Sequence, residues 1–248
     1  MAIDKDSNGF TFGFSIAMVI VVGTLLASVS LGLKPQQKAN QTQEKMQDIL
    51  GSIGVECSRE EAKEQFKKYV TKRLVLSSNG ELTSENTGDI DATDTKDAFN
   101  VDVKKEFRSV PDPAARNYPL YICEKDGSTY YVIPMVGKGL WGPIWGFVAL
   151  ESDLNTVFGA KFDHKTETPG LGAEINQPFF QDPFAGKNIF NASGEFASVK
   201  VIKGGAGEGN MHGVDAITGG TITSNGVSEM LERTLGTYVP YFKNQKAS

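Results

Sequence analysis

Residues 118–150 read YPLYICEKDGSTYYVIPMVGKGLWGPIWGFVAL and carry the clearest structural signal of the chain. The runs 118–123 and 129–135 are rich in aromatic and β-branched residues, which favour strands. The Asp-Gly pair at 126–127 lies between them and is typical of a tight β-hairpin turn. A third run, 144–150, has a similar composition. This part of the chain therefore predicts an antiparallel sheet.

Two further strands are predicted on the C-terminal side, at 156–163 and 198–203. After them, the apolar residues between Val227 and Tyr238 recur at helical spacing, which predicts a final helix. Strands joined by turns, with helices gathered towards both ends, are typical of an α+β fold with a mainly antiparallel sheet and flanking helices.

Helical signals also precede the strands. Ser58 and Glu61 match a capping box, and helical spacing continues from there to about Arg73. Residues 77–97 are rich in Ser, Asn, Thr, Asp and Gly, so we expect loops there, with one short helix at about residues 95–99.

The N-terminal part predicts a membrane anchor. Residues 10–33 contain no charged side chain, and as a helix they are about 36 Å long, enough to cross a hydrocarbon layer of ~30 Å. A cleaved signal peptide is the competing interpretation, but its apolar core is usually only about 7–15 residues long. We expect a single transmembrane helix over 10–33, followed by a soluble region. Its N-terminal part, over 34–117, is juxtamembrane and helical and starts with a polar linker at 35–43, and a domain follows over 118–243.

The lysines that flank this helix bear on its orientation. Lys5 precedes the helix, whereas Lys34, Lys38 and Lys45 follow it. By the positive-inside rule, this count places the C-terminal part in the cytoplasm. The difference is only a few residues and leaves both orientations open.

Composition excludes some classes of function. The chain carries 25 basic and 30 acidic residues and a net charge of −5, whereas a nucleic-acid-binding domain calls for a basic surface, so we expect no nucleic-acid partner. The two histidines and two cysteines show no C-x-x-C or H-E-x-x-H spacing, so we expect no metal site. Cys57 and Cys123 are expected to be buried thiols, with a disulfide as the alternative outside the cytoplasm.

Residues 215–227, DAITGGTITSNGV, concentrate hydroxyl side chains around a Gly-Gly pair. We expect the last helix to begin near Asn225 or Gly226, which puts residues 218–224 directly before its N-terminus. Free backbone N–H groups at such a position favour a phosphate, and glycines let the backbone approach it closely. The G-K-[ST] ending of a P-loop is absent. Ordinary helix capping by Ser, Thr and Asn is the alternative.

Two other segments combine glycine with apolar residues, GKGLWGPIWG at 137–146 and TPGLGAE at 168–174. The first holds both tryptophans of the chain, and the second has Leu171 at its tip. Together they offer tight turns and a flat apolar wall, which suit a planar ring in a mainly apolar pocket. Each segment alone is equally typical of a buried structural turn.

The run DAITGGTIT resembles the flavinylation motif of the FMN-binding domain family, Asp-x-x-Ser/Thr-Gly-Ala-Thr-x-Ser/Thr. Asp215 takes its first position and Thr223 its last, while Gly220 stands where Ala is usual. With the N-terminal helix and the two glycine-containing segments, the chain resembles, along nearly its whole length, the C subunits of sodium-translocating NADH:quinone oxidoreductases. The G subunits of Rnf-type ferredoxin:NAD oxidoreductases share the domain and motif and are an alternative, as is a tethered ectodomain without a redox role.

The resemblance implies covalent FMN, joined through its phosphate to the hydroxyl of Thr223. Asp215 would shape the turn or serve the enzyme that attaches the flavin. The other residues expected to bind the cofactor lie in the motif and in the two glycine-containing segments: Thr218, Gly219, Gly220, Thr221, Ser224, Leu140, Trp141, Thr168, Gly170, Leu171 and Gly172. No catalytic acid or base is expected, because the redox chemistry belongs to the cofactor.

The resemblance also implies partners and location. The protein would be an electron-transfer subunit of a Na⁺-translocating NADH:ubiquinone reductase, anchored in the bacterial inner membrane with its FMN-binding domain, residues 118–243, in the periplasm. Its partners would be the other membrane and soluble subunits and a flavin transferase that uses FAD and Mg²⁺. NADH would be oxidised on a partner, because no G-x-G-x-x-G run leads from a predicted strand into a predicted helix.

Overall fold

The computed structural model describes residues 7–247. It divides into two compact units, one that ends at Glu44 and one that begins at Lys45. Lys5, which entered the lysine count, lies outside the described residues. The α-helices of the described part are α1 (Asn8–Ser52), α2 (Arg59–Tyr69), α3 (Val103–Ser109), α4 (Pro178–Gln181) and α5 (Thr221–Ala247). Its strands are β1 (Val70–Leu76), β2 (Leu82–Asn86), β3 (Tyr118–Lys125), β4 (Ser128–Lys138), β5 (Pro143–Leu150), β6 (Val157–His164), β7 (Lys200–Ile202) and β8 (Gly213–Asp215).

The first unit consists of the larger part of α1. An 18-residue stretch of this helix has a mean hydropathy of 2.4, and none of that stretch is buried within the protein, so the helix is long and apolar enough to cross a membrane. The polar segment predicted as a linker at 35–43 is helical, because α1 runs without interruption past Pro35 to Ser52. The residues after Pro35 are mostly Gln, Lys, Ala and Glu, which are strong helix formers.

The second unit is built on a six-stranded antiparallel sheet in the order β2-β1-β3-β4-β5-β6, with a short parallel pair, β7 and β8, beside it. The α+β class and the mainly antiparallel sheet are thus confirmed. Asp126 and Gly127 both have positive φ, 51° and 77°, which is the geometry of a type I′ hairpin turn and matches their prediction as a turn.

Both faces of the sheet are buried, and alternate residues of each strand face opposite layers. On one face, residues such as Leu74 and Ile133 belong to a core shared with α5, whose residues Val227, Leu231 and Leu235 are fully buried as their spacing predicted. The other face packs against the C-terminal end of α1 and against α2. The sheet therefore holds α5 in a fixed place, which matters because the hydroxyl cluster lies at its start.

Several element bounds between residues 58 and 110 differ from expectation. The capping box of Ser58 and Glu61 is confirmed, but α2 ends at Tyr69, because the next residues pair with β3 as strand β1. Strand β2 lies within the expected loop. Its sequence, LTSEN, is mainly polar, which suits an edge strand but lacks the apolar pattern that predicts a strand. The short helix expected at 95–99 is not formed, whereas α3 forms from 103 onwards. Cys57 and Cys123 are unpaired, and Cys123 is buried.

Candidate functional site

Three hydroxyl residues of the cluster, Thr221, Thr223 and Ser224, lie inside the last helix, and Thr218 lies before it. Helix α5 begins at Thr221, and its first turn is closed by the N–H of Ser224, which donates to the carbonyl of Gly220 at 2.9 Å. The expected start near residue 225 is therefore wrong by one turn. The Ser224 hydroxyl accepts the N–H of Ile217 at 3.3 Å, so it closes the preceding loop onto the helix. Thr223 thus lies in the first turn, where helical N–H groups have no partner within the helix.

Thr223 is buried, with 2% of its surface exposed, and its hydroxyl has one close partner. Oγ1 donates to Oε2 of Glu167 at 2.5 Å. Glu167 is itself 5% exposed, and its Oε1 accepts the N–H of Trp141 at 2.8 Å. The backbone N–H of Glu167 in turn points at Nδ1 of His164, at 3.2 Å. The contact between Thr223 and Glu167 joins two segments that are 56 residues apart in the chain.

Glu167 is a buried carboxylate without a counter-ion among residues 7–247. Burial, the largest influence on this group, acts to raise its pKa. The hydrogen bonds from the Thr223 hydroxyl and from the backbone N–H groups of residues 140–142 act in the opposite direction and outweigh burial, so the pKa of Glu167 is lowered from its ordinary value. The loop at 140–142 therefore stabilises a full negative charge beside the Thr223 hydroxyl.

Glycines make this close packing possible. A Cβ on Gly172 would collide with Oγ1 of Thr223 and with the Glu167 carboxylate, and a Cβ on Gly139 would press on the other oxygen of Glu167. Gly219 has φ +77°, and a Cβ there would meet the side chain of Leu171 at 2.6 Å. The three glycine-containing segments predicted from the sequence are therefore in direct contact around one carboxylate and one hydroxyl.

Exposed apolar side chains surround this buried pair. Leu140 is 47% exposed, Trp141 67%, Leu171 41% and Ile222 56%. Each belongs to a segment that also supplies a contact of the site, either as a backbone donor or as a chain neighbour of Gly172 or Thr223. Large apolar groups left open to solvent within a glycine-lined site are typical of a surface that binds a flat apolar ligand.

The structure does not bring every predicted residue to this point. Asp215 ends β8, and its Oδ1 accepts the N–H of Ala206 at 2.7 Å. Asp215, Thr218 and Gly170 line a neighbouring cleft together with Phe179. The remaining predicted residues lie in the three contacting segments: Gly220 and Thr221 at the start of α5, and Thr168, whose carbonyl accepts the N–H of Leu171 at 3.1 Å.

Glu167 is the functional residue that sequence reasoning missed. The only sequence signal was its place directly before the TPGLGAE segment, and a carboxylate at the edge of a loop is usually solvated. Trp141 was predicted as an apolar wall, and the structure adds that its backbone N–H binds Glu167. Residues 137–142, GKGLWG, do have the spacing G-x-G-x-x-G, but they join the antiparallel strands β4 and β5 instead of leading from a strand into a helix.

Comparison with known proteins identifies the family. Residues 139–236 match the FMN-binding domain family. The chain is 33% identical over 240 residues to the C subunit of the Na(+)-translocating NADH-quinone reductase of Vibrio alginolyticus, covering 95% of this chain and 93% of that subunit. It belongs to the family of these C subunits. The C subunit of the reductase from Neisseria meningitidis serogroup B is 31% identical over 252 residues, which cover 99% of this chain and 97% of the relative.

Solved structures of the C-subunit family share the fold. The crystal structure of the Na(+)-translocating NADH-quinone reductase C subunit from Parabacteroides distasonis has 40% sequence identity and a TM-score of 0.73, and covers 85% of this chain and 96% of that one. The crystal structure of NqrC from Shewanella oneidensis has 29% identity and a TM-score of 0.66, and covers 84% and 99% respectively. The likeness therefore extends well beyond the run DAITGGTIT at 215–223.

Proposed function

We propose that this protein carries FMN, joined through its phosphate to the hydroxyl of Thr223, and relays electrons as the membrane-anchored C subunit of a sodium-pumping NADH:quinone oxidoreductase. The observation that carries the proposal is the buried Thr223 hydroxyl at the meeting point of three glycine-containing segments, in a chain that belongs to the C-subunit family. The relatives matched over nearly their full length are C subunits, so we prefer this role to that of a G subunit of an Rnf-type complex.

The residues present suit FMN. A phosphate ester at Thr223 would lie in the first turn of α5, where backbone N–H groups and the positive end of the helix dipole favour negative charge. Because Gly219 and Gly220 have no Cβ, Leu171 and Ile217 pack directly against the backbone that leads into α5. The exposed side chains of Leu140, Trp141 and Leu171 offer an apolar surface for a planar ring.

The chain's own residues would bind and orient the cofactor. Bound FMN supplies the electron-carrying chemistry. The backbone of residues 219–221 and Ser224 would hold the phosphate, with hydrogen bonds from Thr218 and Thr221. Thr168, Gly170 and Gly172 would line the ring or the ribityl chain. Attachment at the phosphate end leaves the ring electronics unaltered and prevents loss of the flavin between turnovers.

Membrane attachment and assembly complete the proposal. Residues 10–33 of α1 would cross the bacterial inner membrane, residues 34–117 would follow it, and the FMN-binding domain at 118–243 would face the periplasm. The partners are the other subunits of the complex, one of which oxidises NADH, and a flavin transferase that uses FAD and Mg²⁺. Asp215, exposed at the end of β8, would be read by that transferase.

The test is the intact mass of the full chain after co-expression with a flavin transferase. We expect a gain of one FMN less one water, located on the peptide that contains Thr223, and no gain for Thr223→Val. A matched control is Thr237→Val, which removes a hydroxyl from the same helix that only donates to the carbonyl of Arg233, and should keep the flavin. An unmodified wild-type chain would instead favour a tethered ectodomain without a redox role.

A further inference from the structure

We infer that Glu167 is the proton acceptor for Thr223 when flavin is attached, so that the acceptor chain supplies the base for its own modification. The inference rests on the proposed function, since it concerns the reaction that forms the phosphoester. It starts from one contact, the 2.5 Å hydrogen bond from Oγ1 of Thr223 to Oε2 of Glu167. A base must lie within hydrogen-bond reach of the proton that it removes, and Glu167 already does.

The two oxygens of Glu167 have separate partners, which fixes the carboxylate in one orientation. Oε1 accepts the N–H of Trp141, while Oε2 faces Thr223. Gly139 and Gly172 close in on the carboxylate, so it has little room to rotate away. A group held in this way is preorganised for proton transfer, because little conformational entropy has to be lost to reach the reactive orientation.

The surroundings leave Glu167 as the base of this site. The segments packed against the carboxylate, 139–142, 168–172 and 221–224, contain no titratable side chain. Its titratable chain neighbours are Lys165, which is exposed, and His164, whose Nδ1 faces the backbone N–H of Glu167 instead of Thr223. The lowered pKa keeps Glu167 ionised, and therefore able to accept a proton, throughout the neutral range.

The reaction balances with FAD as the flavin donor. Oγ1 of Thr223 forms a bond to the phosphorus on the flavin side of the FAD pyrophosphate, and the bond from that phosphorus to the bridging oxygen breaks. AMP leaves with the electron pair of that bond. The proton of Thr223 passes to Oε2 of Glu167 and from there to solvent. An aspartate serves protein kinases in the same way by accepting the proton of a substrate hydroxyl during phosphoryl transfer.

Access to the hydroxyl is a separate requirement. Thr223 is 2% exposed, so a phosphorus atom reaches Oγ1 only after the segment at Gly172 moves aside. The carboxylate of Glu167 is also anchored outside that segment, because its Oε1 accepts the N–H of Trp141 in the loop between β4 and β5. The hydroxyl and its base can therefore stay in contact while the donor enters.

The test measures flavin attachment to the unmodified full chain in detergent, with purified flavin transferase, FAD and Mg²⁺, between pH 6 and pH 9. Glu167→Gln keeps an oxygen for the N–H of Trp141 and an amide that can donate to Thr223, but cannot take up a proton. We expect the kcat of attachment to fall about 100-fold or more, with an unchanged KM for the chain. The ratio of variant to wild-type rate should rise with pH, because hydroxide replaces the missing base.

The matched control is Glu174→Gln. Glu174 belongs to the same loop and accepts the N–H of Gly170 at 2.8 Å, which an amide oxygen can also do, so its variant should react at the wild-type rate. Glu167→Asp, which retains a carboxylate on a shorter side chain, should react faster than Glu167→Gln. Thermal melting of each variant confirms that it is folded.

The outcomes separate the two claims. A wild-type chain that accepts no flavin overturns the proposed function and with it the role of Glu167. A wild-type chain that accepts flavin, together with an E167Q chain that does so equally fast, overturns only the role of Glu167. A slow E167Q chain whose rate ratio does not change with pH, or an E167D chain no faster than E167Q, shows that Glu167 only holds the loops together and also overturns the inference.

Discussion

Asp97 and Glu167 are both buried carboxylates, but their partners differ. Asp97 is 1% exposed and is bound by the guanidinium of Arg73, with Nε 2.9 Å from Oδ1 and Nη2 2.8 Å from Oδ2. Glu167 is 5% exposed and is bound by backbone N–H groups and by the hydroxyl of Thr223. One charge is neutralised by an opposite charge, and the other is stabilised by dipoles alone.

The difference distinguishes a structural ion pair from the pair that we propose to react. A guanidinium remains protonated in proteins, so Arg73 donates hydrogen bonds to Asp97 but does not transfer a proton to it. Arg73 also donates to the carbonyl of Gly88 at 2.8 Å, so the pair ties the loop after β2 to the sheet. The Thr223 hydroxyl, in contrast, can lose its proton and form a bond to phosphorus. A buried carboxylate that has no counter-ion and accepts a hydrogen bond from a hydroxyl is therefore the better candidate for proton transfer.

The largest effect is expected from removing the cation of the structural pair. Arg73→Met leaves the charge of Asp97 buried and unpaired, and should lower the free energy of unfolding by about 3–5 kcal/mol. Chemical denaturation of the full chain in detergent measures it. The molecules that remain folded should still accept flavin at the wild-type rate.

A second substitution sharpens this prediction. Asp97 also accepts the N–H of Phe99 at 2.9 Å, a bond that an asparagine can retain without the charge. Arg73→Met combined with Asp97→Asn should therefore recover part of the lost stability. A single Arg73→Met variant of wild-type stability would contradict the view that Asp97 depends on its cation.

Steric pressure on the reactive pair should have the next largest effect. Gly172→Ala introduces a methyl group against both Thr223 and Glu167, whereas the atoms nearest to a methyl group in Gly139→Ala belong to Glu167 and Ile144. Each should cost about 1–3 kcal/mol of stability by overpacking. Attachment of flavin should be slower in Gly172→Ala than in Gly139→Ala, as mass spectrometry over a time course would show. Equal rates in the two variants would mean that Gly172 does not control access to the hydroxyl.

Sequence reasoning predicted the sheet where local signals were strong. Strands β3 to β6 are marked by apolar runs, and the turn between β3 and β4 by the Asp-Gly pair at 126–127. Val70 follows Phe66 at helical spacing, which predicts a helix as far as about Arg73, and this prediction is wrong for β1. Its strand conformation comes from pairing with β3, a contact about fifty residues away that no local pattern encodes.

The sequence likewise predicts only part of the candidate site. The motif singled out Thr223, and the structure adds a buried, hydrogen-bonded position for it, while its role as the attachment point stays a prediction. The predicted start of α5 near residue 225 is too late, because Thr and Ser at 221–224 are typical of caps, yet here they form its first turn. The sequence does not predict a role for Glu167, because the carboxylate is stabilised by backbone N–H groups at 140–142. Every residue except proline has such a group, so no residue type indicates it.

A smaller effect concerns the pH dependence of stability. The folded-state pKa of Glu167 is lowered, so its contribution to stability is present above the unfolded-state pKa and is lost as the pH falls through the folded-state pKa. Thr223→Val removes the hydroxyl donor and should cost about 1.5 kcal/mol at neutral pH. That difference from the wild-type, unmodified chain should shrink in acid, as thermal melts across the acidic range would show.

The control for this prediction is Thr237→Val. Thr237 donates to the backbone carbonyl of Arg233, and a carbonyl does not titrate. The loss of stability in Thr237→Val should therefore be independent of pH. A Thr223→Val difference that is equally constant would mean that the hydroxyl does not stabilise the charge of Glu167.

The smallest effect is expected for an exposed carboxylate on the same helix as Thr223. Glu229 pairs with Arg233 at 2.6 Å, but its side chain is 55% exposed. Arg233 also donates to the carbonyl of Val136 and lies 4.0 Å from the ring of Phe107, so it stays in place without Glu229. Glu229→Gln should therefore change stability by only about 0.2–0.5 kcal/mol, and less at high salt. A loss as large as that of Thr223→Val would show that burial is not what distinguishes Glu167, because a solvated carboxylate would then stabilise the protein equally.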